Sequence, residues 1–197
     1  MFLSDDDGIV VVSVMEKRKR ARLSVDEYLE LPETVSPMEL VHGIVRDAPS
    51  PDYSHQSVVT RLGALLYDHV RQFGLGRICL APMDVVLDAK KALVVQPDIM
   101  FVSTARLRII RGRVWGAPEL VVEVLSPGTA LRDRTPKLGW YRRYGVLEYW
   151  LVDVDHQYVD VVDFTRRSPP VRVRGSESIA SAVLTEWTAS IDSIFDL

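Results

Sequence analysis

The sequence predicts one mixed α/β domain, and three observations carry this prediction. An amphipathic helix is expected over residues 55–73, apolar strand-like segments follow it in succession, and a second helix precedes two further strands. The chain has 197 residues, of which 47% are hydrophobic and 26% charged, as is ordinary for a soluble globular domain. We expect a flexible arm over residues 1–20 and a single domain over residues 21–197.

The composition excludes several classes of protein. A single cysteine, Cys79, can form neither an internal disulfide nor a multi-thiolate zinc site, so we expect a protein of the reducing cytoplasm. No apolar stretch approaches the roughly 18 residues that a membrane-spanning helix needs. Motifs typical of α/β-hydrolases and nucleotide-binding loops are absent from the sequence. The net charge is −3, and the basic run at residues 17–20 is either a solvated arm or a phosphate contact.

The first elements are a short helix and a strand. Ser24 and Glu27 have the spacing of a capping box, which predicts a helix that ends near Pro32. Residues 38–47 are expected to form a strand, with a turn or bulge at Gly43.

The long helix over residues 55–73 has the clearest pattern in the chain. Its apolar residues recur at helical spacing, which predicts that one face packs against the core. Asp52 or Ser54 can cap its start, and Gly74 can end it in a left-handed conformation.

The second half of the chain is mostly strand. Strands are predicted over residues 77–87, 94–102, 119–125, 148–154 and 158–164, and a short strand pair is predicted in the tail. The basic segment 106–113 is expected to be a short helix or loop. A second helix is predicted with Asp133 or Thr135 as its cap, Pro136 in its first turn and Gly145 at its end.

Two carboxylates break the pattern of the predicted core strands. Asp98 lies within the apolar run 94–102, and Glu123 lies within the apolar run 120–125. A charge buried in such a strand costs several kcal/mol unless it is paired or binds a metal. One shared cation accounts for both residues, and Mg²⁺ or Mn²⁺ suits carboxylate oxygens. The alternative is that each acid lies near a strand end and faces water.

Four more residues are candidates for the same site. Glu39 lies among apolar residues, although it could be an exposed strand residue. Lys137 is predicted in the first turn of a helix, where a positive charge is unfavourable unless a phosphate or carboxylate is its partner. His55 and Gln56 begin the long helix, where they could contact a ligand or phosphate or simply be polar residues at a helix start.

The order of these motifs resembles the Uma-two family of restriction-endonuclease-like proteins over residues 22–165. The segments that carry the resemblance are residues 39–43 (ELVHG), 51–56 (PDYSHQ), 96–102 (QPDIMFV), 117–127 (APELVVEVLSP), 133–137 (DRTPK) with Tyr141, and 145–153 (GVLEYWLVD). The family is similar to the PD-(D/E)-x-K nuclease superfamily. The resemblance therefore implies a restriction-endonuclease-like fold, with a mixed central β-sheet flanked by α-helices.

The resemblance also implies roles for individual residues. Asp98 matches the motif aspartate, Glu123 matches the acid of the second motif, and Glu39 matches the early glutamate. Superfamily members usually have lysine two residues after the second acid, where this chain has Leu125. Lys137 is the expected substitute, reaching the site from the following helix.

The function implied is hydrolysis of DNA phosphodiester bonds, with Mg²⁺ or Mn²⁺ held by Asp98 and Glu123, together with Glu39. A homodimer would suit an enzyme that cuts both strands of a duplex. One alternative is a nucleic-acid-binding protein that has lost catalysis. Another is a structural or assembly protein in which the buried acids pair with Arg142 or Arg143.

Overall fold

The computed structural model describes residues 22–32, 37–47, 50–126, 128 and 130–195, so the predicted N-terminal arm lies outside the described residues. The described chain has a mixed α/β fold, as the sequence predicts. None of the described helices combines the length and hydropathy that a membrane-spanning helix requires.

The strands, in chain order, are β1 (Met38–Val41), β2 (Ile44–Asp47), β3 (Gly76–Leu80), β4 (Val85–Asp88), β5 (Leu93–Val95), β6 (Ile99–Ser103), β7 (Ile110–Arg111), β8 (Arg113–Trp115), β9 (Leu120–Leu125), β10 (Glu148–Asp153), β11 (Tyr158–Asp163), β12 (Val171–Arg174), β13 (Ser178–Ala180) and β14 (Thr188–Ser190). The helices are α1 (Val25–Leu29), α2 (Tyr53–Phe73), α3 (Ala130–Arg132), α4 (Leu138–Tyr144) and α5 (Ile191–Phe195). A 3₁₀ helix spans Thr104–Ile109, and a π-helical segment, Asp133–Lys137, joins α3 to α4.

In the part of the chain that the structure describes, the strands form two six-stranded sheets and one hairpin. The central sheet has the order β12-β11-β10-β9-β6-β3, and the second sheet has the order β2-β1-β5-β4-β8-β7. In the central sheet β9 and β10 are parallel and the other neighbours are antiparallel, so it is mixed. Strand β10 lies inside this sheet with all its residues buried, which makes it part of the core rather than an edge. The predicted tail strand pair is the β13–β14 hairpin.

Two of the predicted strands are wrong because each divides between the sheets. The predicted strand 77–87 is β3 of the central sheet followed by β4 of the second sheet. The predicted strand 94–102 is β5 of the second sheet followed by β6 of the central sheet. Pro82 and Pro97 lie at these two breaks, and proline cannot donate the backbone hydrogen bond that a strand ladder needs. At each of these two breaks the chain therefore crosses from one sheet to the other.

The helix ends follow the sequence signals. Ser24 and Glu27 form the predicted capping box, with the Ser24 backbone N–H donating to the Glu27 carboxylate at 2.8 Å. Asp52 caps α2 by accepting a hydrogen bond from the His55 backbone N–H at 2.8 Å. Gly74 ends α2 with φ +62°, a left-handed conformation that favours glycine.

Successive side chains along each strand of the central sheet point to opposite faces, so the sheet has a hydrophobic core layer on each side. Phe101 and Val122 face α2, whose residues Leu62 and Leu66 are fully buried against them. Met100, Val102, Val121 and Leu151 face the second sheet and α4 on the opposite side. Because side chains alternate along a strand, Glu123 points with Val121 toward the space between the sheets. The alternation of side chains along β9 therefore places the Glu123 carboxylate between the two sheets.

Gly76, at the start of β3, lies too close to β6 to carry a side chain. A Cβ atom there would lie 2.1 Å from the Val102 carbonyl oxygen and 2.8 Å from the Ser103 Cα. We expect Gly76→Ala to lower the free energy of unfolding by about 1–3 kcal/mol, because the two paired strands must separate.

Urea unfolding of the purified variants measures this effect. Gly139→Ala is the matched control, since a Cβ atom there meets nothing within 4 Å and alanine is favoured inside a helix. If Gly76→Ala is as stable as wild type, the close approach of β3 and β6 is contradicted.

Candidate active site

The crossing at Pro97, between β5 and β6, positions Asp98. The sequence placed this residue inside a strand, which is wrong, since Asp98 lies in the link that follows Pro97 and precedes β6. Strands β6 and β9 are antiparallel, with Ile99 opposite Val122. Continuing this register by one residue brings Asp98 opposite Glu123. Two acids 25 positions apart in the chain therefore meet where β6 begins.

Asp98 is held by a backbone group and by a histidine. Its Oδ2 accepts a hydrogen bond from the Val124 backbone N–H at 2.7 Å and lies 3.5 Å from Nε2 of His55, at the start of α2. Burial lowers the pKa of His55, but the hydrogen bond and negative charge of Asp98 outweigh burial and raise it. Among the described residues, the buried Nδ1 of His55 has no hydrogen-bond partner. Asp98 is more exposed than Glu39, Glu123 and Asp133, with 18% of its side chain accessible.

Lys137 lies at the centre of the other acids. Its ammonium nitrogen is 2.8 Å from Glu123 Oε1, 2.9 Å from Glu39 Oε1 and 3.2 Å from Asp133 Oδ1. Only 6% of the lysine side chain is accessible to solvent. Arg132 approaches Glu39 from the cleft side, with 3.3 Å between Nη1 and Oε2. One buried lysine thus forms ion pairs with three carboxylates.

The π-helical segment brings Asp133 and Lys137 to this point. The predicted helix cap at Asp133 or Thr135 is wrong, because the helical chain already begins at Ala130 and Asp133 turns its side chain toward Lys137. Pro136 lies inside the segment, where its missing N–H and its ring disfavour a regular α-helix. Such π-helical turns are often found at functional sites.

Tyr141, one turn beyond Lys137, completes the buried group. Its hydroxyl donates to Glu123 Oε1 at 2.6 Å. Burial and the neighbouring carboxylates raise the pKa of this tyrosine well above its usual value, so it remains a hydrogen-bond donor.

The charges in this group determine its protonation. Burial lowers the pKa of Lys137, but Glu123, Glu39 and Asp133 outweigh burial and raise it well above its usual value. Lys137 is therefore a cation at neutral pH. Burial raises the pKa of Glu123 well above its usual value despite the attraction of Lys137, and the other acids raise it further. Burial alone would also raise the pKa of Glu39, but the attraction of Lys137 lowers it.

Arg134 ties the π-helical segment to the central sheet. Its Nη2 donates to Asp153 at 3.0 Å and to the Tyr158 hydroxyl at 2.7 Å, and its Nη1 donates to Asp160 at 3.3 Å. These partners lie on β10 and β11. The tether fixes the segment that carries Lys137 against two strands.

The tether gives a prediction about stability and pH. Burial raises the pKa of Asp153, but hydrogen bonds from His156 and Tyr158 outweigh it and hold the pKa below its usual value. A lowered pKa in the folded state means that the stabilisation is complete above the unfolded value of about 3.9 and is lost as the pH falls through the folded value. We expect Asp153→Asn to cost about 1–3 kcal/mol at pH 7 and progressively less below about pH 4.

Urea unfolding of wild type and Asp153→Asn at pH 7 and at pH 3 checks this prediction. Asp155→Asn, in the exposed turn after β10, is the control and should change stability little. A difference between wild type and Asp153→Asn that does not shrink at low pH would contradict it.

The acids and Lys137 lie at one part of a cleft of about 520 Å³. This volume is within the range of roughly 300–1,000 Å³ that is typical of ligand sites. Residues from both sheets, from α1 and α2, and from the π-helical segment line it. The cleft is therefore formed where the two sheets meet.

The structure brings together the residues that the sequence singled out. Lys137 contacts both Glu39 and Glu123, Asp98 contacts His55, and these residues and Gln56 line the same cleft. Sequence reasoning missed further members of the site, which are Arg132 and Asp133 as ion-pair partners and Tyr141 as a donor. The spacing of Asp133, Lys137 and Tyr141 at i, i+4 and i+8 was the available signal, since such residues share one helix face.

The arginines proposed as structural partners of the acids lie elsewhere. Arg142 lies over the Phe164 ring, 5.2 Å from its centroid, and Arg143 lies over the Tyr144 ring at 5.9 Å. Within the described residues, Lys137 and Arg132 form the ion pairs of Glu39 and Glu123, and Arg142 and Arg143 do not.

A mixed sheet with two opposed acids and a lysine at one end defines a restriction-endonuclease-like protein. The comparisons with known proteins agree with this class. The chain belongs to the Uma2 family, whose model is described as "Putative restriction endonuclease" and matches residues 25–192.

A solved structure shows the same fold. It is described as a "putative nuclease belonging to DUF820 from Anabaena variabilis ATCC 29413", and it superposes with a TM-score of 0.76 at 21% sequence identity, covering 88% of this chain and 98% of the other. At this identity the similarity shows the fold alone. No curated protein matches the chain.

Proposed function

We propose that this protein is a metal-dependent endonuclease that hydrolyses DNA phosphodiester bonds. The observation that carries the proposal is the meeting of Asp98 and Glu123 at the start of β6, beside the Lys137 ammonium, in the lining of a cleft. Family membership supports a nuclease in general. The metal and the choice of DNA are inferences from the site and from the resemblance.

The donor set fits a hard divalent cation. Among the described residues, no three His, Cys, Asp or Glu side chains converge as a complete ligand set. Mg²⁺ needs fewer protein ligands, since it keeps several waters and is often held by one or two carboxylates together with a substrate phosphate. Asp98 and Glu123 would hold Mg²⁺ or Mn²⁺, and Glu39 could join them only by changing its ion pair with Lys137. A bound cation supplies charge to polarise the scissile phosphate and lowers the pKa of bound water.

The protein's own groups then perform defined tasks. Lys137 is a buried cation, so it can neutralise charge that develops on the phosphate without a cost in reorganisation. Arg132 lines the cleft and offers a second positive charge to the same phosphate. His55 and the Val124 backbone N–H fix the orientation of the Asp98 carboxylate.

The lysine that the superfamily has two positions after Glu123 is replaced here by Leu125. Leu125 is buried and packs in the core on the side of the second sheet. Lys137 reaches Glu123 from the helical segment instead, at 2.8 Å. The charge is thus supplied at the same acid from a different element, which supports retention of catalysis.

The experiment that tests the proposal is incubation of the purified protein with single-stranded DNA, duplex DNA and RNA in Mg²⁺, in Mn²⁺ and in EDTA. We expect DNA cleavage with either metal, no cleavage in EDTA, and no cleavage by Asp98→Asn purified in parallel. Binding without cleavage in every metal would overturn the proposal in favour of an inactive nucleic-acid-binding protein. The absence of both binding and cleavage would favour a structural protein.

A homodimer stays a prediction. It would suit the cutting of both strands of a duplex, because each subunit would act on one strand. The molar mass of the purified protein in solution, from light scattering with and without DNA, tests it.

A further inference from the structure

A second polar group lies in the same cleft, apart from the acids around Lys137. Asp84 accepts a hydrogen bond from Gln96 Nε2 at 2.8 Å and pairs with Arg113 Nε at 3.0 Å. All three residues line the cleft. The function proposed above uses none of them.

Gln96 joins this group to the acids. Its backbone N–H donates to Glu39 Oε1 at 3.3 Å, while its side-chain Nε2 donates to Asp84. Since Nε2 faces a carboxylate, the amide orientation is fixed and Oε1 is the acceptor that remains. Among the described residues, this buried Oε1 has no hydrogen-bond partner. A buried acceptor without a partner is costly, so a ligand that brought a donor to this oxygen would be stabilised.

Arg113 adds donors beside this acceptor. Its Nε is used by Asp84, and 41% of its side chain is accessible, so its outer N–H groups can face a ligand. The lining of the cleft also includes the apolar residues Leu29, Leu31, Pro32, Met38 and Pro82. Apolar walls with one acceptor and a planar group of donors suit a flat heterocycle that hydrogen-bonds along its edge.

We propose that this part of the cleft binds one unstacked nucleobase, from a nucleotide next to the scissile phosphate. The inference rests on the proposed nuclease function. The base would stack between the apolar side chains, donate to Gln96 Oε1 and accept from Arg113. The base-binding group (Asp84, Gln96 and Arg113) would thus select the nucleotide while the acids act on its phosphate.

The depth of the site supports this substrate class. The side chains of Glu39, Glu123 and Lys137 are each no more than 6% accessible, so the phosphate must enter the cleft to reach them. In a regular duplex the bases are stacked inside the helix, and enzymes that read a base in a pocket must take it out of the stack. The free energy needed to unstack the base is smallest for single-stranded or locally unpaired DNA. The net charge of −3 also gives little general attraction to duplex phosphates.

The test compares two single-stranded probes of equal length. One is a DNA oligonucleotide, and the other is the same sugar–phosphate chain without bases. Binding is measured by fluorescence anisotropy in EDTA, so that cleavage does not enter. We expect wild type to bind the intact strand at least about tenfold more tightly than the abasic chain, and a fully paired duplex to bind as weakly as the abasic chain.

The variant Gln96→Leu completes the comparison. It should bind the intact strand about tenfold more weakly than wild type and the abasic chain equally well. Gln72→Leu, on an exposed part of α2, is the matched control and should behave as wild type. The inference is overturned if wild type binds both probes equally, or if Gln96→Leu weakens both to the same extent.

These outcomes are separate from those that test the proposed function. Base-dependent binding with no cleavage in Mg²⁺ or Mn²⁺ would overturn the nuclease proposal and leave the base-binding group intact. Cleavage of DNA together with equal affinity for both probes would support the nuclease proposal and overturn the base-binding group. If Gln96→Leu does not fold, the affinities of the wild-type protein for the two probes still test the proposal, because this comparison needs no variant.

Discussion

Replacing Asp98 with asparagine is expected to reduce DNA cleavage by about 10³-fold or more, with the fold retained. Removal of a metal-binding charge loses several kcal/mol of transition-state stabilisation, and about 4 kcal/mol corresponds to that factor. The asparagine oxygen can still accept the hydrogen bond from the Val124 backbone N–H, so the local structure should persist. Glu123→Gln should behave similarly, because Tyr141 and Lys137 can donate to its amide oxygen.

Single-turnover cleavage rates in Mg²⁺, together with circular dichroism and thermal melts of each variant, measure this effect. Asp68→Asn is the matched control, since that carboxylate is exposed on α2 away from the cleft. It should cleave at the wild-type rate. Full activity in Asp98→Asn or Glu123→Gln would show that the site has been assigned to the wrong residues.

Replacing Lys137 with methionine should give the largest loss of stability, about 3–5 kcal/mol. Removing one partner of a buried ion pair leaves the other charge uncompensated, and that is far more costly than exchanging the whole group for apolar residues. Here Glu39, Glu123 and Asp133 would all lose their shared cation. A loss of this size is a large part of the total stability of a typical domain, so the variant could be partly unfolded at 37 °C.

A double variant distinguishes loss of charge balance from loss of packing. Glu39→Gln combined with Lys137→Met should recover part of the lost stability, because one buried negative charge is removed with the positive one. Lys90→Met is the control, since that lysine is exposed. Urea unfolding gives the free energies. If the single Lys137→Met variant costs less than 1 kcal/mol, the ion-pair group is not as buried as described.

Local signals in the sequence were enough to predict α1, α2 and most of the core. The capping box at Ser24, the long helix α2 and its Gly74 end depend on residues that are close in the chain. Glu123 could be singled out because one charge within an apolar strand is unusual wherever that strand lies. These features therefore needed no knowledge of the tertiary structure.

The parts that sequence reasoning missed depend on contacts between distant segments. The apolar run 94–102 contains Pro97, which marks the break locally, but only the strand pairing shows that β5 and β6 belong to different sheets. Asp133 is the exception, because it has the residue type of a helix cap but its i,i+4 spacing to Lys137 was a local signal of their ion pair. The base-binding group is likewise assembled from Asp84, Gln96 and Arg113, which lie on separate elements.

The most direct measurement for the central claim is a thermal melt of the wild-type protein with and without Mg²⁺ or Mn²⁺, beside Asp98→Asn and Glu123→Gln. A cation that binds only the folded protein must raise the melting temperature by mass action. The proposed site predicts a rise at millimolar metal for wild type that is lost in both variants. No change for wild type, or an equal rise in all three proteins, would contradict a metal site at Asp98 and Glu123.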